Sequence, residues 1–108
     1  MSELLNQKSR DLPKGSPALG NSEIERLLGE VPGWSRDGVQ KIARTFEFKN
    51  FHETIEFVNA LAWVIHREDH HPDMSVSYNR CHVVFSTHSV GGLSKNDFIC
   101  AAKINALL

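Results

Sequence analysis

The segment from Phe51 to Asp69 repeats apolar side chains at helical spacing. It stops abruptly at Asp69-His70-His71-Pro72-Asp73, where the proline disfavours helical geometry at His71. Asn50 is placed to cap this helix, with Glu53 at the third position able to reach back. At roughly 100° per residue, Ile55, Val58, Ala62 and Ile65 make one stripe, and Phe57, Leu61 and Val64 a second beside it. Together they cover roughly 180°, wider than the ~100° that one core requires. The reading is that one stripe faces a sheet and the other a second subunit. The remaining face carries Asn59, Trp63, His66 and, if the helix extends so far, His70. His66 and His70 are then neighbours one turn apart.

Around this helix the chain divides simply. Residues 1–20 hold Ser, Lys, Asn, two prolines and two glycines with little periodicity, and read as a flexible N-terminal arm. Residues 21–108 read as a single domain. Ser22-Glu23-Ile24-Glu25 is a capping-box pattern, with Ile24, Leu27 and Leu28 on one face of a short helix. Trp34 opens a strand, and Asp37-Gly38 signals a hairpin whose return strand runs through Ile42, Arg44, Phe46 and Phe48. After Pro72, Met74 to Tyr78 alternates in polarity. Asn79-Arg80 is read as a two-residue turn that sets Tyr78 opposite Cys81, Val76 opposite Val83 and Met74 opposite Phe85. The other face of this hairpin presents Ser75, Ser77, His82, Val84, Ser86 and, at its limit, His88. Gly91-Gly92 breaks the strand, and Ser94-Lys95-Asn96-Asp97 caps a last helix. The order α-β-β-α-β-β-α predicts an α+β domain: a four-stranded antiparallel sheet with three helices on one face.

Composition excludes several classes. The formal net charge is -1 over 108 residues, which calls for neither nucleic acid nor an acidic membrane surface. No stretch approaches the ~20 apolar residues of a membrane span, and Met1 to Asp11 has no apolar signal core. Cys81 and Cys100 read as reduced thiols of a cytoplasmic protein.

Six histidines are unusual in so short a chain. For His52 and His82 a structural role suffices. His70 and His71 differ, because the helix-ending proline puts both at one mouth. A metal site and metal-free acid–base catalysis both use imidazole. No His-x-His, His-Glu-x-x-His or Cys-x-x-Cys spacing is present, and spacing alone does not decide between the two.

Taken together, Asp69-His70-His71-Pro72-Asp73, Tyr78-Asn79, Ser86-Thr87-His88, Gly92-Leu93-Ser94 and Asp97 resemble the signature of the pterin-4a-carbinolamine dehydratases. Gly33-Trp34 and Phe46-x-Phe48-x-x-Phe51 fit the same pattern, and the resemblance covers roughly residues 22–108. One position departs: four residues before the first histidine, animal members commonly carry Glu, and this chain carries His66.

The resemblance implies a hydro-lyase that removes water from 4a-hydroxytetrahydropterin to give quinonoid dihydropterin, in recycling of the tetrahydropterin cofactor. It implies no metal and no cofactor. It also implies a homodimer or homotetramer assembled through the long helix 51–69 and the sheet edge. Mapped onto this chain, the catalytic residues are His70, His71 and His88. Asp69, Ser86, Thr87 and Ser89 hold the pterin, with Trp34, His66 and Asp97 as further candidates; Asp97 has an equal claim as a helix cap. The alternative is a non-catalytic binding module, since proteins resembling this family serve as a transcription-factor dimerisation cofactor or as assembly factors for the carbon-fixing enzyme.

Overall fold

The computed structural model describes residues 3–108. Three helices, α1 (Asn21–Leu28), α2 (Phe51–Glu68) and α3 (Lys95–Asn105), alternate with four strands. These are β1 (Ser35–Arg36), β2 (Ile42–Glu47), β3 (Asp73–Val76) and β4 (Arg80–Phe85). Single turns of 3-10 helix occur at Glu3–Asn6 and His88–Val90. The strands form one antiparallel sheet in the order β1-β2-β4-β3, so the two hairpins join through β2 and β4.

Alternation along the strands sorts the side chains. Ile42 and Phe46 of β2 and Cys81, Val83 and Phe85 of β4 are buried on one face. There they meet Ile24 and Leu27 of α1, Phe57 and Leu61 of α2, and Phe98 and Ile104 of α3. All three helices therefore cover the same face, as the α+β reading requires. Arg44 interrupts the β2 stripe without breaking it. Its guanidinium lies 4.5 Å from the centroid of the Phe46 ring and donates to the carbonyl of Pro32 at 2.9 Å. Gly33 makes room for that approach at φ +91°, where a Cβ would meet the guanidinium at 2.6 Å.

Asn50 caps α2 as expected: its side-chain oxygen accepts from the Glu53 N–H at 2.9 Å. Of the two stripes on α2, the one through Phe57 and Leu61 faces the core, joined by Thr54. Ile55, Val58 and Ile65 are only partly covered, and Ala62 is exposed.

Four expectations need correcting. The second hairpin turns at Tyr78-Asn79, with the Ser77 N–H donating to the Arg80 carbonyl at 2.9 Å. Val76 accordingly pairs with Cys81 and Met74 with Val83, a slip of two residues that preserves every face. In the first hairpin Arg36 pairs with Ile42, and Asp37-Gly38 begins a longer loop. Burial of Ile42 sets that register, overriding the local turn preference. Helix α1 starts at Asn21 behind Gly20, with no side-chain cap, so Ser22 lies in its first turn.

The fourth correction concerns the arm. Its described part, residues 3–20, is strapped to the domain. Leu4 is buried in the core, the Ser9 N–H donates to Glu68 Oε1 at 2.8 Å, and the Ser9 hydroxyl donates to the Glu68 carbonyl. Asn96 accepts from the Arg10 N–H at 3.0 Å and donates to its carbonyl at 2.7 Å. Gly15 donates to the Ser89 carbonyl and Leu19 to that of Leu93. Low periodicity concealed this, because the anchors are one leucine, the Lys8 and Ser9 side chains and backbone groups, which form no periodic pattern.

Candidate active site

Helix α2 ends at Glu68 rather than at Asp69. Asp69 takes the left-handed conformation (φ 52°, ψ 42°), the one positive φ at a non-glycine among the described residues. Aspartate tolerates that region better than most residues, and a non-glycine there commonly marks a functional corner. The reversal turns His70 inward and leaves His71 at the surface; His71 Nδ1 is 3.4 Å from the Pro72 carbonyl.

His70 packs its ring against Phe85, with centroids 5.5 Å apart and planes 12° from parallel. Its Nε2 lies 2.6 Å from Oδ1 of Asp97, which is completely buried. The other oxygen, Oδ2, accepts from the Ser94 N–H at 2.9 Å and the Thr87 hydroxyl at 2.8 Å. Since Thr87 donates there, the Ser94 hydroxyl, 2.6 Å from Thr87 Oγ1, donates to Thr87. A carboxylate only accepts, so Nε2 of His70 carries the hydrogen and Nδ1 is the nitrogen available to a ligand. Cys100 stands behind this corner, its Sγ 3.9 Å from the His70 carbonyl. Burial, aided by nearby Glu68 and Asp97, pushes its thiol pKa up to about 12, so it is an inert packing group.

A cavity of about 500 Å³ opens at this corner. His70 and His71 line it from the α2–β3 connection, and His88 enters from the 3-10 turn after β4. Ser86, Thr87 and Ser89, neighbours of His88 in the chain, and Asp69, next to His70, line it as well. The volume falls within the ~300–1,000 Å³ range of small-molecule sites, ample for a bicyclic ring. Asp73 and Val84, paired across β3 and β4, complete the lining. Sequence reasoning did not assign them to the site, although Val84 stood out as the apolar member of an otherwise polar strand face.

The other candidates fall elsewhere. Trp34 is buried in the core, donates from Nε1 to Asn105 Oδ1 at 2.8 Å, and does not line the cavity. It touches the site only through Phe85, whose ring centroid is 5.8 Å from its own. The aromatic contacts of a core tryptophan are indistinguishable in sequence from those of a pocket wall. His66 lines an adjoining hollow of about 440 Å³ with Ile65, Pro72 and Met74. Asp97 lines neither hollow and acts from behind His70. Thr87 borders the cavity, but its hydroxyl is engaged by Asp97 and Ser94. His82 sits on the helix-free face, its Nδ1 2.7 Å from Thr45 Oγ1. Among the described residues, no group of three or more His, Cys, Asp or Glu is arranged to hold a metal ion.

Comparison with known proteins gives the family and the fold. The family model described as pterin 4 alpha carbinolamine dehydratase matches residues 17–107. A Nitrosomonas eutropha protein provisionally named pterin-4-alpha-carbinolamine dehydratase is 51% identical over 107 residues, 98% of this chain and 94% of its own. A Stenotrophomonas maltophilia protein with the same provisional name is 58% identical over 96 residues, covering 87% of this chain and 83% of its own. Among solved structures, a transcriptional coactivator/pterin dehydratase from Brucella melitensis superposes with a TM-score of 0.79 at 36% identity, over 83% of this chain and 97% of that one. A pterin dehydratase-like protein identified as a RuBisCO assembly factor in the alpha-carboxysome shares the fold, with a TM-score of 0.61 at 18% identity over 72% of this chain and 92% of its own. On the strength of the sequence matches over nearly its whole length, this chain belongs to the pterin-4a-carbinolamine dehydratase family.

Proposed function

We propose that the protein dehydrates 4a-hydroxytetrahydropterin to quinonoid dihydropterin, with His70, His71 and His88 as acid–base groups, and so serves tetrahydropterin recycling in the cytoplasm. The observation that carries the proposal is the convergence of these three imidazoles, from two separate segments, on one cavity. The reaction delivers a proton to the 4a-oxygen, breaks the C4a–O bond to release water, and removes a proton from a ring nitrogen. Imidazoles exchange protons readily near neutral pH, and each such transfer typically contributes ~10²–10⁴-fold. With Nε2 tied to Asp97, His70 exchanges its proton through Nδ1. Asp69 and Ser86 to Ser89 supply donors and acceptors for the polar edge of the pterin.

A homo-oligomer is part of this reading. Met74 and Val76 of the edge strand β3 are about two-fifths exposed, and the half-covered stripe of α2 leaves further apolar surface open. Exposed strand edges with apolar side chains are ordinarily covered by another chain. The Brucella protein's two-part name keeps a binding role in view, and that same surface is where such a role would sit.

The test is a dehydration assay on chemically prepared 4a-hydroxytetrahydropterin with wild type and the His70→Ala, His71→Ala and His88→Ala variants. At least two variants should lose about tenfold or more while remaining folded. Wild-type protein no faster than buffer would leave a binding module as the better account.

A further inference from the structure

A hollow of about 330 Å³ lies between the N-terminal strap and the first turn of α3, and it shares no lining residue with the histidine cavity. Lys8 and Arg10 of the strap and Lys95, the first residue of α3, stand around it. Among the described residues no carboxylate lines it, and Leu12, Leu19 and Ile99 supply an apolar wall. We propose that this hollow binds a small organic anion, a carboxylate or phosphate head carried on an apolar body.

Three observations carry it. First, the positive charge is uncompensated. Among the described residues, Lys8, Arg10 and Lys95 enter no ion pair. Lys8 Nζ donates to the Arg67 carbonyl, which is neutral. The acids that feel these cations are already engaged: Glu68, near Lys8, meets Lys103 Nζ at 2.6 Å, and Glu23, near Lys95, meets Arg26 at 2.7 Å. In a chain whose formal net charge is -1, three such cations around one hollow make a local positive field that attracts an anion. Second, the wall is fixed in advance. Asn96 accepts from the Arg10 N–H at 3.0 Å and donates to its carbonyl at 2.7 Å, the Leu19 N–H donates to the Leu93 carbonyl at 2.9 Å, and Ile99 is buried. Binding therefore does not have to order the strap, which spares affinity. Third, the two kinds of wall select together. The capping box already takes up the N–H groups of Ser94 and Asn96, so the head group is met by the Arg10 fork and two ammonium groups, which suit carboxylate and phosphate alike. An inorganic ion leaves the leucines uncovered, and a neutral body leaves the cations unpaired.

The experiment follows amide NMR shifts of the full chain titrated with phenyl phosphate and with phenylacetate, which distinguish the two head groups. Inorganic phosphate and benzyl alcohol represent the head and the body alone. At least one of the two aryl anions should move the amides of residues 8–12 and 95–99 and bind about tenfold more tightly than either fragment. Arg10→Glu and Lys95→Glu, both at exposed positions, should each weaken that binding about fivefold or more. Lys49→Glu makes the same change of net charge at the opposite end of α2 from Glu68 and the strap, and should leave the affinity within about twofold. The spectra report folding directly, and Arg10→Gln and Lys95→Gln replace any reversal that unfolds the chain. The site is overturned if neither anion moves those amides at millimolar concentration, if neither binds more tightly than inorganic phosphate, or if all three variants bind alike. No step reads dehydration, so the outcome is independent of the dehydratase reading.

Discussion

Oδ1 of Asp97 meets Nε2 of His70 at 2.6 Å while Oδ2 of the same carboxylate caps helix α3 through the Ser94 N–H. One buried side chain thus starts a helix and orients the His70 ring, and the two duties are separable by mutation. Asp97→Ala leaves the Ser94 N–H and the Thr87 hydroxyl without their acceptor, and should cost about 2–4 kcal/mol of stability. Asp97→Asn keeps the shape and one acceptor oxygen, but presents His70 with either the wrong partner or a lost cap. Its kcat should fall about tenfold or more with a much smaller loss of stability. Urea unfolding and steady-state kinetics on the two variants check both halves.

Glu68 ties α2, α3 and the strap together, and this should appear in acid. Burial works to raise its pKa, but the Lys103 ammonium and the Ser9 N–H, with Lys8 further off, outweigh it and hold the carboxyl below its ordinary value. A depressed carboxyl stabilises the fold above the ordinary carboxylate pKa, and that contribution disappears as pH falls through the folded-state value. Glu68→Gln should therefore melt below wild type at pH 7, with the gap closing toward about pH 3. Thermal midpoints across that range give the answer; a gap independent of pH would mean the ion pair contributes nothing.

Both thiols should be silent in the native protein. Burial raises the Cys81 pKa, and Cys100 is pushed up to about 12, chiefly by burial. Thiolate is the reactive form, so at pH 8 a thiol reagent such as iodoacetamide should label neither cysteine in minutes and both after denaturation. Intact-mass measurement reads the outcome directly.

The edge strand predicts the assembly. Val76 and Met74 lie on the helix side of the sheet and are about two-fifths exposed in the single chain. Light scattering at micromolar concentration should give a dimer or larger species. Val76→Lys should shift it toward monomer without unfolding it, because a charged edge residue opposes strand addition. A wild-type monomer would contradict the assembly.

Much of this protein is legible in one dimension. The order of elements, the Asn50 cap, the buried face of the sheet and the pairing of His70 with His71 at one corner follow from periodicity, capping residues and a helix-ending proline, all local or nearly so, while His88 joined them only through the family resemblance. Resemblance supplied the chemistry that spacing left open between metal and acid–base. What distance in sequence concealed was the set of contacts around the candidate site: Asp97 behind His70, Phe85 beneath its ring, and the strap from Ser9 to Glu68. Trp34 shows the same limit in reverse, since nothing local distinguishes a core indole from one facing a ligand. Hairpin registers belong with these, because a two-residue slip preserves the polar alternation and only packing against the helices decides between them. Short-range physics wrote the elements into the chain; which polar groups meet across the core depended on how those elements stacked.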